Sequence, residues 1–113
     1  MTTGNFNADK TYNPERISTK VILDDDFTKE IRILMAKGQE MKAHKAPFPI
    51  QVHVLEGVID FEVDNETMTM TAGEIISLEA SVIHALFAKE NSMVRLSLNK
   101  SDRVERVNRV ANN

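Results

Sequence analysis

Cysteine is absent from this chain. Its absence excludes a disulfide framework and thiolate chemistry, and suits a reducing compartment, so a cytoplasmic location is expected. Tryptophan is absent too, and one Tyr and five Phe hold the aromatic share to 5%. A platform that stacks nucleic-acid bases is therefore not expected. Neither sign of charge dominates: 14 basic residues against 17 acidic leave a net charge of −3. Nothing in that balance calls for nucleic acid or an anionic membrane as partner. No apolar run approaches the ~18 residues of a membrane-spanning helix. The polar segment from Met1 to Tyr12 holds no apolar stretch of the secretory type, so no leader is expected there.

What remains is a chain of 113 residues, the usual size of one domain. It is long enough to bury roughly two-thirds of its unfolded surface without a staple. Residues 1–13 are polar and read as a loose arm, and 14–100 as the folded body. The body alternates apolar and polar residues with the period of a half-buried strand. Ile31, Ile33 and Met35 alternate with Arg32 and Leu34; Ile59, Phe61 and Val63 with Asp60 and Glu62; Val94, Leu96 and Leu98 with Arg95 and Ser97. Met68 and Met70 alternate with Thr67, Thr69 and Thr71, and apolar runs Ile50–Leu55 and Ile75–Leu78 lie beside Gly57 and Gly73. Turn residues punctuate these runs, and Asp64-Asn65 can supply the two positive-φ residues of a tight hairpin. Short strands at this spacing predict an all-β sandwich or barrel. In 101–113, Val104, Val107 and Val110 and the interleaved Arg103, Arg106 and Arg109 suggest a marginal helix capped by Ser101, or a tail.

Gly38 is followed by five residues, then His44, Lys45 and Ala46, three more, then Ile50, six more and Gly57. This resembles the first motif of the cupin family, in which the same frame carries Gly, His-x-His, Glu and Gly. Gly38, His44 and Gly57 are in place, while Ala46 stands for the second His and Ile50 for the Glu. The second cupin motif is echoed by Gly73 and His84, with Glu79, Ser81 and Ala88 in place of its Pro, Gly and Asn. The resemblance covers about residues 30–98. It implies a jelly-roll barrel, the double-stranded β-helix of cupins.

In metal-binding cupins the two motifs supply three His and one Glu that converge on a divalent metal. Carried over residue by residue, only His44 and His84 remain. A working site needs at least three protein ligands with positions left open, so no resident cofactor is expected. Weak binding of a divalent transition metal stays open as an alternative. His53 joins the pair only if a β-bulge after Pro49 reverses the strand's parity; otherwise it faces outward with Gln51 and Leu55. The expected pocket is lined by His44, Ala46, Ile50, Val52 and His84, by the inward methionines Met35, Met68 and Met70, and by Phe48 as a stiff lip between Pro47 and Pro49. No nucleophile–base pair or catalytic carboxylate stands out. Two functions follow as expectations: a non-enzymatic pocket protein, homodimeric as cupins usually are, binding a small molecule or a partner; or a metal-dependent cupin enzyme of dioxygenase or isomerase type with a reduced ligand set.

Overall fold

The computed structural model describes residues 1–100. The segment 101–113, with its expected helix or tail, lies outside the described residues. Nine strands follow one another: β1 (Ser18–Asp24), β2 (Thr28–Met35), β3 (Glu40–His44), β4 (Ile50–Glu56), β5 (Val58–Val63), β6 (Glu66–Thr71), β7 (Ile75–Leu78), β8 (His84–Ala88) and β9 (Ser92–Asn99). They form two antiparallel sheets, one ordered β1-β2-β9-β4-β7 and the other β3-β8-β5-β6. Neighbours in each sheet are mostly distant in sequence, which is the crossing connectivity of a jelly roll. No helix among the described residues is long and apolar enough to cross a membrane.

The alternation seen in sequence is the cause of this arrangement. A strand turns successive side chains to opposite faces, so every second residue enters the core. On β4, Ile50, Val52 and Val54 are buried while Gln51, His53 and Leu55 are not. Ile59 and Phe61 of β5, Ile33 and Met35 of β2, and Val94 of β9 do the same from their own strands. With Met70, Leu78, Leu86 and Ala88 they make one apolar cluster between the sheets. Each large member contributes about 1.5–3 kcal/mol by leaving water. Asp64 and Asn65 take φ of 52° and 63° and close the β5–β6 hairpin with Val63 paired to Glu66. That is the tight two-residue turn for which short polar residues tolerate positive φ.

The segment 1–13 is held by the barrel rather than left loose. Arg32, on the outer face of β2 and only 4% exposed, donates from Nη1 to the carbonyls of Phe6 (2.9 Å) and Ala8 (2.7 Å). Lys10 pairs with Glu56 at 2.7 Å, and Gln39 donates to the carbonyl of Asn13. These bonds run largely through backbone carbonyls, which every residue has, so the polar composition of the arm gives no sign of them. A buried guanidinium needs such acceptors.

Gly57 joins β4 to β5 at φ +88°, and a Cβ there would lie 2.3 Å from Ser92 Oγ and 2.4 Å from the Asn91 carbonyl. Ser92 is itself fully buried, accepting from Val58 N and donating to the Glu90 carbonyl. Gly38 has the same backbone, φ +89°, with open space around it. Replacing Gly38 by Ala should cost roughly 1–2 kcal/mol for the left-handed backbone alone. Gly57→Ala should cost at least about 2 kcal/mol more from overlap. Urea unfolding of the two variants checks the difference, and equal midpoints would contradict this account of Gly57.

Candidate functional site: a cavity at one end of the barrel

The inner faces close tightly over Phe61, Ile59, Met35, Val54 and Val94, each with no measurable exposure. Toward the other end they part around a cavity of about 180 Å³. One wall is Ile33, Ile50, Val52, Leu96 and Leu98 from β2, β4 and β9; the other is Met41, His44, His84 and Leu86 from β3 and β8, with Ala46 and Phe48 from the β3–β4 loop. Among the described residues His44 and His84 are the only polar side chains in this wall.

The two histidines meet because β3 and β8 pair antiparallel with their Cα positions in register, after a shift in β3 between Met41 and His44. Their rings lie 4.3 Å apart between centroids, tilted by 57°. Phe61 stacks parallel on the His84 ring at 5.7 Å. Each Nδ1 reaches the carbonyl two residues back, His44 to Lys42 at 2.7 Å and His84 to Val82 at 2.9 Å. A carbonyl only accepts, so each Nδ1 carries a hydrogen, and in the neutral form of such a ring the lone pair is on Nε2. Burial pushes the His84 imidazole below its ordinary value of 6.5; the Val82 carbonyl opposes that, and neighbouring His44 adds to it. On its other side His84 borders a shallower cleft of about 210 Å³ lined by Glu62, Asp64 and Asn65.

The structure gathers His44, Ala46, Phe48, Ile50, Val52 and His84 around the cavity. It does not bring the three methionines there. Met35 and Met70 point inward but sit in the closed part of the core, at 0% and 2% exposure. Met68 is opposite Phe61 on edge strand β6 and is 40% exposed. Parity sets the face a residue points to, not its position along the barrel. Met41, Leu86, Leu96, Leu98 and Ile33 line the cavity without having been singled out. For Ile33, Leu96 and Leu98 the alternation already gave the inward face. Met41 lies on a mostly exposed edge strand with no apolar period to mark it.

His53 does not join the pair. The β4–β9 register shift falls between Val54 and Glu56, beyond it, so the strand runs unbulged from Ile50 to Val54. His53 therefore faces outward, opposite Ile75 and Arg95 in register, and its Nδ1 is buried without a partner among the described residues. The same face carries a polar groove of about 500 Å³. There Glu30 accepts from Arg95 Nη2 at 2.8 Å and Nε at 3.0 Å, and from the Ser97 hydroxyl. Burial pushes the Glu30 carboxyl up, but the Arg95 and Ser97 hydrogen bonds outweigh it and hold the group below its usual range.

The cupin-domain family profile matches residues 31–98, more than half of the chain. The protein belongs to the cupin family. Its fold is similar to an RmlC-like cupin from Desulfovibrio desulfuricans, at TM-score 0.78 and 19% identity over 88% of this chain and 96% of that one. It is also similar to TT1209 from Thermus thermophilus, at TM-score 0.76 and 17% identity over 88% and 98% of the two chains. KdgF from a Halomonas species aligns at TM-score 0.71 and 16% identity over 82% and 90%. No curated protein sequence matches the chain. At these identities the structural likeness establishes the fold.

The metal of other cupins tests the site directly. Two imidazole Nε2 atoms are present; Ala46 and Ile50 carry no donor, and His53 is on the far face of its strand. Among the described residues no group of three or more His, Asp or Glu converges. Among the described residues the donor set falls short of the three ligands a working site requires.

The lowered pKa of His84 has a fixed consequence for stability. As pH falls, the unfolded chain takes up the proton first, so folding is favoured above about 6.5 and that contribution is lost as pH drops toward the folded value. His84→Gln should remove this part of the acid sensitivity. Urea unfolding across pH 5 to 8 reads it, and identical pH profiles for both proteins would count against the placement of His84.

Proposed function

We propose that this cupin is a non-enzymatic binding protein whose barrel takes one small, mostly apolar molecule. The observation that carries this reading is the cavity wall: nine apolar side chains and two histidines around about 180 Å³. An apolar cavity of roughly 150 Å³ stays dry and admits benzene, so a single-ring compound is the right size. The missing Ala46 and Ile50 ligands also support binding over metal chemistry. The absence of cysteine supports a cytoplasmic setting. Toluene should bind in ligand-observed NMR, and Ala46→Phe, which fills the loop side of the cavity, should abolish the signal while circular dichroism stays unchanged. Undiminished binding to Ala46→Phe would place the ligand elsewhere.

The alternative, a metal-dependent enzyme of dioxygenase or isomerase type, draws on His44 and His84 facing each other across paired strands with both Nε2 atoms bearing lone pairs. Two imidazoles and water hold a divalent transition metal weakly. The binding reading expects purified protein to lose its metal on dialysis against a chelator; stoichiometric metal that survives dialysis and leaves with His44→Ala would favour the enzyme.

A homodimer is part of the same proposal. Cupins commonly pair through a sheet face or swapped terminal strands. Here the outer face of β4 and β7 exposes Ile75 at 55% beside the unpartnered His53 Nδ1. Light scattering should give twice the chain mass at micromolar concentration, and Ile75→Lys should shift it toward the monomer.

A further inference from the structure

The polar chemistry of the cavity is unusually one-sided. Both His44 and His84 use Nδ1 as a donor to the backbone of their own chain segment. Neither Nε2 has a hydrogen-bond partner among the described residues. The two rings lie 4.3 Å apart between centroids, and both border the otherwise apolar chamber. Among the described residues no cation lines that chamber, and the cleft that His84 also borders presents the carboxylates Glu62 and Asp64. An anion entering the cavity would lose its hydration and find no Lys or Arg among the described lining residues to replace it. A neutral hydroxyl would lose its hydration and find an acceptor.

We infer that the cavity selects a neutral molecule with one hydroxyl donor on a small apolar body, phenol- or cresol-sized, and rejects the carboxylate of the same shape. The donor is held by the Nε2 of His84, of His44, or by the two in exchange. This deepens the reading of the cavity as a small-molecule site and rests on it. The burial that pushes the His84 imidazole below its ordinary value acts in the same direction.

The test compares p-cresol, toluene and 4-methylbenzoate by NMR titration at about pH 8, where free imidazole is neutral. In the native protein p-cresol and toluene should both bind, and 4-methylbenzoate should not compete. In the double variant His44→Leu/His84→Leu, toluene should still bind, and the affinity for p-cresol should fall about tenfold relative to toluene. If the cresol-to-toluene ratio is the same in both proteins, or if 4-methylbenzoate binds as tightly as p-cresol, the selectivity is wrong while the cavity reading stands. If neither toluene nor p-cresol binds, the cavity reading fails and takes the selectivity with it. Should the double variant not fold, the imidazole nitrogens of the native protein decide the matter by long-range ¹H–¹⁵N spectra. Both rings should show Nδ1–H, with a ring Nε2 shifting on addition of p-cresol. An Nε2–H tautomer on both rings, or no shift at saturating p-cresol, overturns the inference.

Discussion

The two sheets must each hide one face, and they can do so only against each other. That constraint organises the protein. Where Phe61, Ile59, Met35, Val54 and Val94 meet, the inner faces interlock and leave no measurable exposure. Packing at the density of an organic crystal makes this end rigid. At the other end the same strands carry side chains that do not fill the gap, and the loop between β3 and β4 contributes Ala46 where a longer residue would close it. The cavity is thus the unfilled remainder of the core, walled by elements the filled part holds in place.

That rigidity also sets the chemistry of the histidine pair. Antiparallel pairing places His44 opposite His84, and the backbone carbonyls of Lys42 and Val82 settle which nitrogen carries the hydrogen. Phe61, the largest fully buried side chain, stacks on His84 and links the ring to the packed core. Burial then disfavours charge on the imidazole. The outer face behaves differently. There the buried charges are compensated locally: Arg32 by carbonyls of the N-terminal segment, Glu30 by Arg95 and Ser97. The outer face of the five-stranded sheet pairs most of its polar groups, with Arg32 Nε and His53 Nδ1 buried without a partner among the described residues, while the inner face has almost none to satisfy.

Much of this could be read before the fold was seen, and the misses are instructive. The alternation around Ile33, Val52, Phe61 and Val94 identified inward faces correctly because strand geometry admits no other period. Asp64-Asn65 marked its hairpin because few residues tolerate two successive positive φ angles. Strand β8, His84–Ala88, was harder: its inward slots hold His84, Leu86 and Ala88 while Phe87 faces out at 41% exposure, so hydrophobicity points to the wrong face. The methionines went astray for another reason. Met35 and Met70 have the inward parity of a pocket residue but lie deeper along the barrel, and Met68 stands on an edge strand that nothing covers completely. The N-terminal segment gave no sign of its attachment, because it is held largely through its own backbone carbonyls, which accept from Arg32 and Gln39.

The sequence by itself determined the fold family, the inward register of most strands, and the apolar side chains of Ala46 and Ile50, which carry no donor atom. These are local facts: residue type, spacing and a period of two survive any uncertainty about distant contacts. Only the tertiary structure decided where along the barrel the space remains, which residues from five strands border it, and that both histidines turn Nδ1 to the backbone and leave Nε2 without a partner among the described residues. Those depend on pairing between segments as far apart as His44 and His84, on the position of a register shift relative to His53, and on how completely two opposed faces fill the volume between them. No local pattern encodes a volume.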